Sequence, residues 1–264
     1  MTHPRALLEG VIALAQQAGE AIMAVYAGAS FEVEHKDDRS PLTAADRAAH
    51  RILGEGLAAL PGGHPVLSEE AAAIPWEVRR RWQTYWLVDP LDGTREFIKR
   101  NGEFTVNVAL IDGDRPVLGV VHAPARGYLA WAAAGQGAFR RAANGQDLAL
   151  RVAPVPQRLR VAASRSHLDA RTVALLDRLG PHERIGLGSS LKFCEIAEGR
   201  IDLYPRFGPT SEWDTAAAQC VLEQAGGAVI GTDGRPLRYN TKESLLNPDF
   251  LALSSLALPW RSWL

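Results

Sequence analysis

The chain has 264 residues, 47% of them hydrophobic and 22% charged, with a formal net charge of −1. That supplies a large core, in one big domain or two modest ones, and excludes a disordered or fibrous chain. The near-neutral balance gives no reason to expect nucleic acid or an acidic membrane as main partner, whereas a small phosphorylated ligand needs only local positive charge.

Residues 6–26 place Leu7, Leu8, Val11, Ile12, Ala15, Ala18, Ile22 and Val25 on one helical stripe. Glu9, Gln16, Gln17 and Glu20 interrupt the helix, which argues against a signal peptide or a membrane span. The expected location is the cytoplasm, with peripheral attachment to the cytoplasmic face of the inner membrane as the other reading. Residues 32–40 (E-V-E-H-K-D-D-R-S) should form an exposed hairpin or loop. Thr43 then opens a second helix to about residue 60, with Asp46 at its third position, close to a capping box. Residues 65–70 are a short apolar run ending in Glu69 and Glu70, and residues 85–88 are an apolar strand running into Asp89-Pro90-Leu91-Asp92-Gly93-Thr94.

Residues 104–111 and 116–123 are β-rich and joined by Asp112-Gly113-Asp114, a hairpin signal. Further strands fit 128–133, 137–140 and 148–152. The A-P-V-P run at 153–156 is the best domain boundary, dividing 1–153 from 154–264. Beyond it, strand 159–163, helix 169–179, helix 190–199, strand 201–204, helix 213–225 and strand 228–230 alternate as α/β units do. The class is α/β, or α+β by some schemes. Cys194 and Cys220 sit in apolar helical stretches without metal-ligand spacing and should be buried, reduced thiols.

Three acidic motifs stand at element ends. Asp89 and Asp92 flank a proline that fixes φ and removes a donor, and Gly93 permits a tight turn, so both carboxylates and the Leu91 carbonyl can converge. Hard oxygen donors of this kind suit Mg²⁺. Taken singly, each motif has a plain structural reading. D-x-x-D-G is a strand-to-loop turn, Glu69 and Glu70 are a solvated pair, and Asp214 in S-E-W-D-T-A-A is an acid at a helix start. Together they point to a cation site.

W-L-V-D-P-L-D-G-T, with S-E-E before it and W-D-T-A-A after it, resembles the inositol monophosphatase superfamily of Mg²⁺-dependent, lithium-sensitive phosphatases. Residues 94–111 (T-R-E-F-I-K-R-N-G-E-F-T-V-N-V-A-L-I), 185–193 and 203–210 are similar to its 3′(2′),5′-bisphosphate nucleotidase branch, the CysQ type. The likeness runs from about residue 18 to residue 247. It implies a layered α-β-α-β-α sandwich and two or three Mg²⁺ ions. Glu69, Asp89 and the Leu91 carbonyl would hold the first ion. Asp89 would bridge to a second, held with Asp92 and Asp214, and a weaker third would sit near Glu69. Glu70 either helps that third ion or faces solvent.

By the same resemblance, Thr94 and Asp46 form the pair that orients the attacking water, against the simpler capping role for Asp46. Substrate contacts fall to Glu69, Leu91, Asp92, Gly93, Thr94 and Asp214, with Ser189 and Lys192 at the phosphate that is not cleaved. Ser166 and His167 either act similarly or form a polar loop, and Tyr204 and Arg206 either flank the base or pack the strand end. The implied activity is hydrolysis of 3′-phosphoadenosine 5′-phosphate to AMP, extending to 3′-phosphoadenylyl sulfate, in sulfur assimilation and nucleotide recycling, by a monomer or homodimer. Two alternatives stay open: a phosphatase of the same superfamily acting on inositol monophosphate or a sugar phosphate, and a non-catalytic nucleotide- or Mg²⁺-binding module.

Overall fold

A computed structural model describes residues 4–28, 33–35, 41–163 and 169–264. From the N-terminus come helix α1 (Pro4–Tyr26), a hairpin of β1 (Val33–His35) and β2 (Pro41–Thr43), and helix α2 (Ala44–Ala59). Strand β3 (Val66–Ser68), a 3₁₀ turn (Glu69–Ala71), the short helix α3 (Trp76–Arg79), β4 (Thr84–Asp92) and the short helix α4 (Thr94–Ile98) follow. The meander β5 (Thr105–Asp112), β6 (Arg115–Ala123), β7 (Tyr128–Ala133), β8 (Gly137–Arg141) and β9 (Asp147–Leu150) completes a seven-stranded sheet of order β3-β4-β5-β6-β7-β8-β9. All its pairings are antiparallel except β3–β4. The rest of the chain runs β10 (Leu159–Ala163), α5 (Ala170–Leu179), β11 (His182–Gly186), α6 (Leu191–Ala197), β12 (Leu203–Arg206), α7 (Glu212–Gln224), β13 (Ala228–Gly231), β14 (Phe250–Leu253) and a 3₁₀ turn (Trp260–Trp263). Its five-stranded sheet has the order β11-β10-β12-β14-β13.

Side-chain alternation sets the layers, because successive residues of a strand point to opposite faces. On β4, Trp86 and Val88 join the core made with α1 and α2, while Tyr85 and Leu87 join the core made with α6 and α7. On β14, Phe250 and Ala252 face that same middle layer, and Leu251 and Leu253 face a third core with Leu175, Leu176, Trp260 and Trp263. The order is therefore α1/α2, seven-stranded sheet, α6/α7, five-stranded sheet, α5: the α-β-α-β-α sandwich expected from sequence. Among the described residues no helix is long and apolar enough to cross a membrane.

Most expected elements stand within two residues of their predicted limits. The strand expected at 148–152 instead ends at Leu150, because the Val152 N–H donates to the Ala225 carbonyl at 3.1 Å and so leaves the sheet. The strand expected at 201–204 is shifted to Leu203–Arg206, where it pairs antiparallel with β14. The segment read as a hairpin at 32–40 pairs Val33–His35 with Pro41–Thr43, and its remaining residues lie outside the described ones.

One glycine fixes how closely the middle layer lies on the large sheet. A Cβ on Gly119 of β6 would come 2.3 Å from the Ala217 carbonyl oxygen and 2.9 Å from Cys220 Cβ, both on α7. Gly119→Ala must push helix and strand apart, an overpacking effect expected to cost about 1–3 kcal/mol. Urea unfolding of the purified variant checks this, and an unchanged midpoint would show that the contact yields freely.

Candidate active site

The aspartate run of β4 is shaped by an irregularity in its pairing. Asp89 lies opposite Asn107 and Asp92 opposite Thr105, so three steps on β4 match two on β5. Pro90, which has no N–H to give a ladder, falls inside this bulge. The Leu91 N–H turns inward to Asp89 Oδ1 at 3.0 Å. Gly93 then takes φ 91°, where a side chain would be strained, and α4 begins. Parallel pairing of Ser68 with Val88 sets Glu69 beside Asp89. Asp214 arrives from the other half of the chain, in the first turn of α7, with its Oδ2 accepting the Ser211 N–H at 2.9 Å. Glu69, Asp89, Leu91, Asp92, Thr94 and Asp214 line one cavity of about 410 Å³. Glu70 does not line it.

The electrostatics of this cavity are unfavourable as the protein stands. Burial, then the charges of Glu69, Asp92 and Asp214, holds Asp89 well above the ordinary carboxylate range, and only 1% of its surface is exposed. Burial and the nearby Asp92 push Asp214 up to about 8. Burial pushes Asp92 up to about 6, with Lys192 pulling the other way. Carboxylates crowded this way resist ionisation unless an added positive charge joins them. All the donors are oxygens, the set suited to Mg²⁺. Among the described residues no three acidic, imidazole or thiol groups already close into a coordination shell. Glu69, Asp89, Asp92 and Asp214 line the cavity together with Glu96, and a Mg²⁺ ion commonly takes only one or two carboxylates and keeps several of its own waters.

Asp46 divides its two oxygens between fold and site. Oδ2 accepts from the Thr43 N–H at 2.7 Å and the Thr43 hydroxyl at 2.6 Å, forming the capping box of α2. Oδ1 lies 3.3 Å from Thr94 Oγ1, which is equally far from the Leu91 carbonyl oxygen. Asp46 thus caps α2 with one oxygen and reaches Thr94 with the other, so the capping role does not use up the carboxylate.

A second cavity of about 490 Å³ shares Asp92, Gly93 and Asp214 with the first and reaches Ser189, Lys192, Tyr204 and Arg206. The Lys192 ammonium donates to the Ser189 carbonyl at 2.7 Å and lies 5.0 Å from the Tyr204 ring centroid. Burial pushes it down to about 8. Arg206 donates to the Pro209 carbonyl at 2.8 Å. Ser166 and His167 fall outside the described residues. Sequence reasoning passed over Arg95 and Lys99 at the rim of this cavity, and Glu103, which holds the Gly188 N–H at 2.8 Å. It also passed over Thr105, Asn107 and Ser190, all gathered on Asp92. For the pair on β5 a signal existed, since Thr105 and Asn107 are polar residues two apart at the start of a strand that is then apolar up to its last residue, Asp112.

Comparison with known proteins follows from this geometry. The sequence model of the inositol monophosphatase family matches residues 3–258. The chain is 52% identical over 245 residues to the 3′(2′),5′-bisphosphate nucleotidase CysQ of Escherichia coli O157:H7, covering 92% of this chain and 98% of that protein. The Salmonella typhimurium CysQ is likewise 52% identical over 245 residues, with the same coverage. Among solved structures, CysQ from Bacteroides thetaiotaomicron superposes with a TM-score of 0.84 at 42% identity, covering 93% of this chain and 96% of that one.

Proposed function

This chain belongs to the inositol monophosphatase family, and from that membership we propose that it is a Mg²⁺-dependent 3′(2′),5′-bisphosphate nucleotidase acting on 3′-phosphoadenosine 5′-phosphate. The reading is carried by one observation: a buried cluster of like-charged carboxylates opens beside the Thr94–Asp46 pair and joins a cavity holding the ammonium of Lys192. Residues 1–153 supply most of the cation ligands, and residues 154–264 supply Asp214 and the nucleotide side. The enzyme is assigned to the cytoplasm.

Glu69, Asp89 and the Leu91 carbonyl would hold one Mg²⁺, and Asp89, Asp92 and Asp214 a second. Cations held there would supply charge neutralisation at the phosphoryl oxygens and a more acidic water. The chain's own groups do the rest. With its hydroxyl hydrogen donated to Asp46 Oδ1, Thr94 Oγ1 has lone pairs left to accept from a water and orient its oxygen toward phosphorus. In-line attack forms a bond from the water oxygen to phosphorus and breaks the one between phosphorus and the ribose 3′ oxygen, which gains a proton in exchange for the one water loses, giving AMP and inorganic phosphate. At neutral pH Lys192 is still mostly protonated, and its unused N–H groups suit the phosphate that is retained.

The deciding experiment is phosphate release from 3′-phosphoadenosine 5′-phosphate and from inositol 1-phosphate, each with Mg²⁺ and after thorough chelation. Faster release from the nucleotide, lost on chelation, restored by Mg²⁺ and inhibited by lithium, is expected. Preference for the inositol ester would move the enzyme to another branch of the family, and no Mg²⁺-dependent release at all would leave a binding module.

Lys192→Ala tests the nucleotide side. A hydrogen bond to a charged group is worth roughly 1.5–3 kcal/mol, so kcat/KM for the nucleotide should fall roughly ten- to more than hundredfold. If the contact is equally strong in ground and transition states, the loss falls mainly on KM. Inositol 1-phosphate has no second phosphate and should be spared. Equal damage to both substrates would assign Lys192 to the fold.

A further inference from the structure

Three buried polar side chains take no part in the chemistry above. Thr105 and Asn107 lie on β5 with none of their surface exposed, and Ser190, at the entrance to α6, is 2% exposed. They meet at Asp92. Its Oδ2 accepts the Ser190 N–H at 2.6 Å and lies 3.4 Å from both Asn107 Nδ2 and Thr105 Oγ1. Ser190 Oγ is 2.8 Å from Asn107 Oδ1 and 2.9 Å from Thr105 Oγ1.

Counting hydrogens fixes the directions. An ionised carboxylate only accepts, so Asn107 turns its amide N–H toward Asp92 and its carbonyl toward Ser190. The Ser190 hydroxyl therefore donates to Asn107 and accepts from Thr105, whose single hydrogen goes to the nearer partner. Asp92 Oδ2 is held by this arrangement, while Oδ1 has no part in it. The network also crosses the molecule: β5 belongs to the seven-stranded sheet, whereas Ser190 leads into the helix that carries Lys192.

We propose that Ser190 is a positioning residue for Asp92, and that the affinity of the carboxylate cavity for divalent cations depends on this hydroxyl, which is not itself a ligand. The proposal rests on reading the carboxylate cluster as a cation site. Buried groups that orient a ligand from behind typically change metal affinity roughly 10–100-fold when removed. Ser190→Ala leaves the backbone N–H on Asp92 and strands the Asn107 carbonyl, so an effect near tenfold is expected.

The test is titration of Mn²⁺ alone into the purified full chain, followed by electron paramagnetic resonance, at a temperature where circular dichroism shows wild type and variant both folded. Ser190→Ala should bind Mn²⁺ roughly tenfold more weakly. The Mg²⁺ concentration for half-maximal turnover should rise in step, with kcat largely recovered at saturation. A purely structural role predicts a lower melting temperature with unchanged Mn²⁺ affinity of the folded protein, and that result overturns the proposal. Thr105→Val, which removes the hydroxyl donating to Ser190, should weaken binding in the same direction, and it decides alone if Ser190→Ala does not fold. Failure of the wild type to bind Mn²⁺ would instead overturn the cation site itself.

Discussion

Thr94→Ala should cut kcat by roughly 10²–10⁴-fold, the range for losing a positioned proton acceptor, while cation and substrate binding change little. The expectation follows from where Thr94 sits. Its hydroxyl lies 3.3 Å from Asp46 Oδ1, and Asp46 itself is 2% exposed and behind the cavity. Under the proposed mechanism, removing the hydroxyl would delete the group that aims the water and remove no ligand charge. Asp46→Asn should lower kcat by the same route and also loosen the first turn of α2, because Asp46 Oδ2 completes its capping box. Rapid-quench turnover at saturating Mg²⁺, with calorimetric titration of the cation, separates the two effects. If Thr94→Ala loses cation affinity as severely as Asp214→Asn, the division between water-orienting and ligand residues is wrong.

Asp89→Asn should do two opposed things: weaken divalent cation binding and raise the stability of the cation-free protein. The amide keeps the shape and can still accept the Leu91 N–H, but it has no proton to lose, so it escapes the cost that burial and the charges of Glu69, Asp92 and Asp214 impose on the carboxyl. Groups standing behind a ligand already matter roughly 10–100-fold, so the ligand itself should cost about a hundredfold or more. The stability gain carries a pH signature. An unfolded aspartate releases its proton near pH 3.9 (roughly the model-peptide value). Folded Asp214 holds its proton up to about 8, and Asp89 is displaced in the same direction. Between those limits the folded state binds more protons than the unfolded chain, so stability falls as pH rises. Glu212, pushed up to about 7 by burial, adds to the same slope, which makes the comparison with the variant the decisive one. Melting temperatures of chelated wild type should fall from about pH 5 to about pH 8, less so in Asp89→Asn, and recover with saturating Mg²⁺. Identical slopes in the two proteins would mean that Asp89 is not held by its neighbours as described.

Some of this was legible along the chain. The apolar run of residues 85–88, the capping residue Thr43, the acid Asp214 at a helix start and the Asp112-Gly113 turn are local signals, and local chemistry decides such elements. Strand β14 was missed because F-L-A-L is four apolar residues after a long irregular stretch, and only its pairing with β12 and β13 makes it a strand. Strand β11 (H-E-R-I-G) carries charged residues at a sheet edge and shows no apolar pattern. The cavity itself draws on the 3₁₀ turn after β3, on β4, on the start of α4 and on α7, so which acids share it is settled by tertiary packing. Lys192 could be placed at a helix start from sequence, but nothing near it in the chain says that its charge is felt at Asp92.

Asp46 and Asp214 occupy the same place in their helices, the third position, each accepting the N–H of its own capping residue. A descendant of this protein that had lost all activity could keep both aspartates for its helices alone. Asp89 caps no helix, and its one structural bond, accepting the Leu91 N–H, is one an asparagine keeps, so an idle lineage should exchange it early. In a collection of diverged sequences, an intact Asp89 would therefore mark the chains still under selection for turnover, whereas retention of Asp46 and Asp214 would mark only those still under selection to fold.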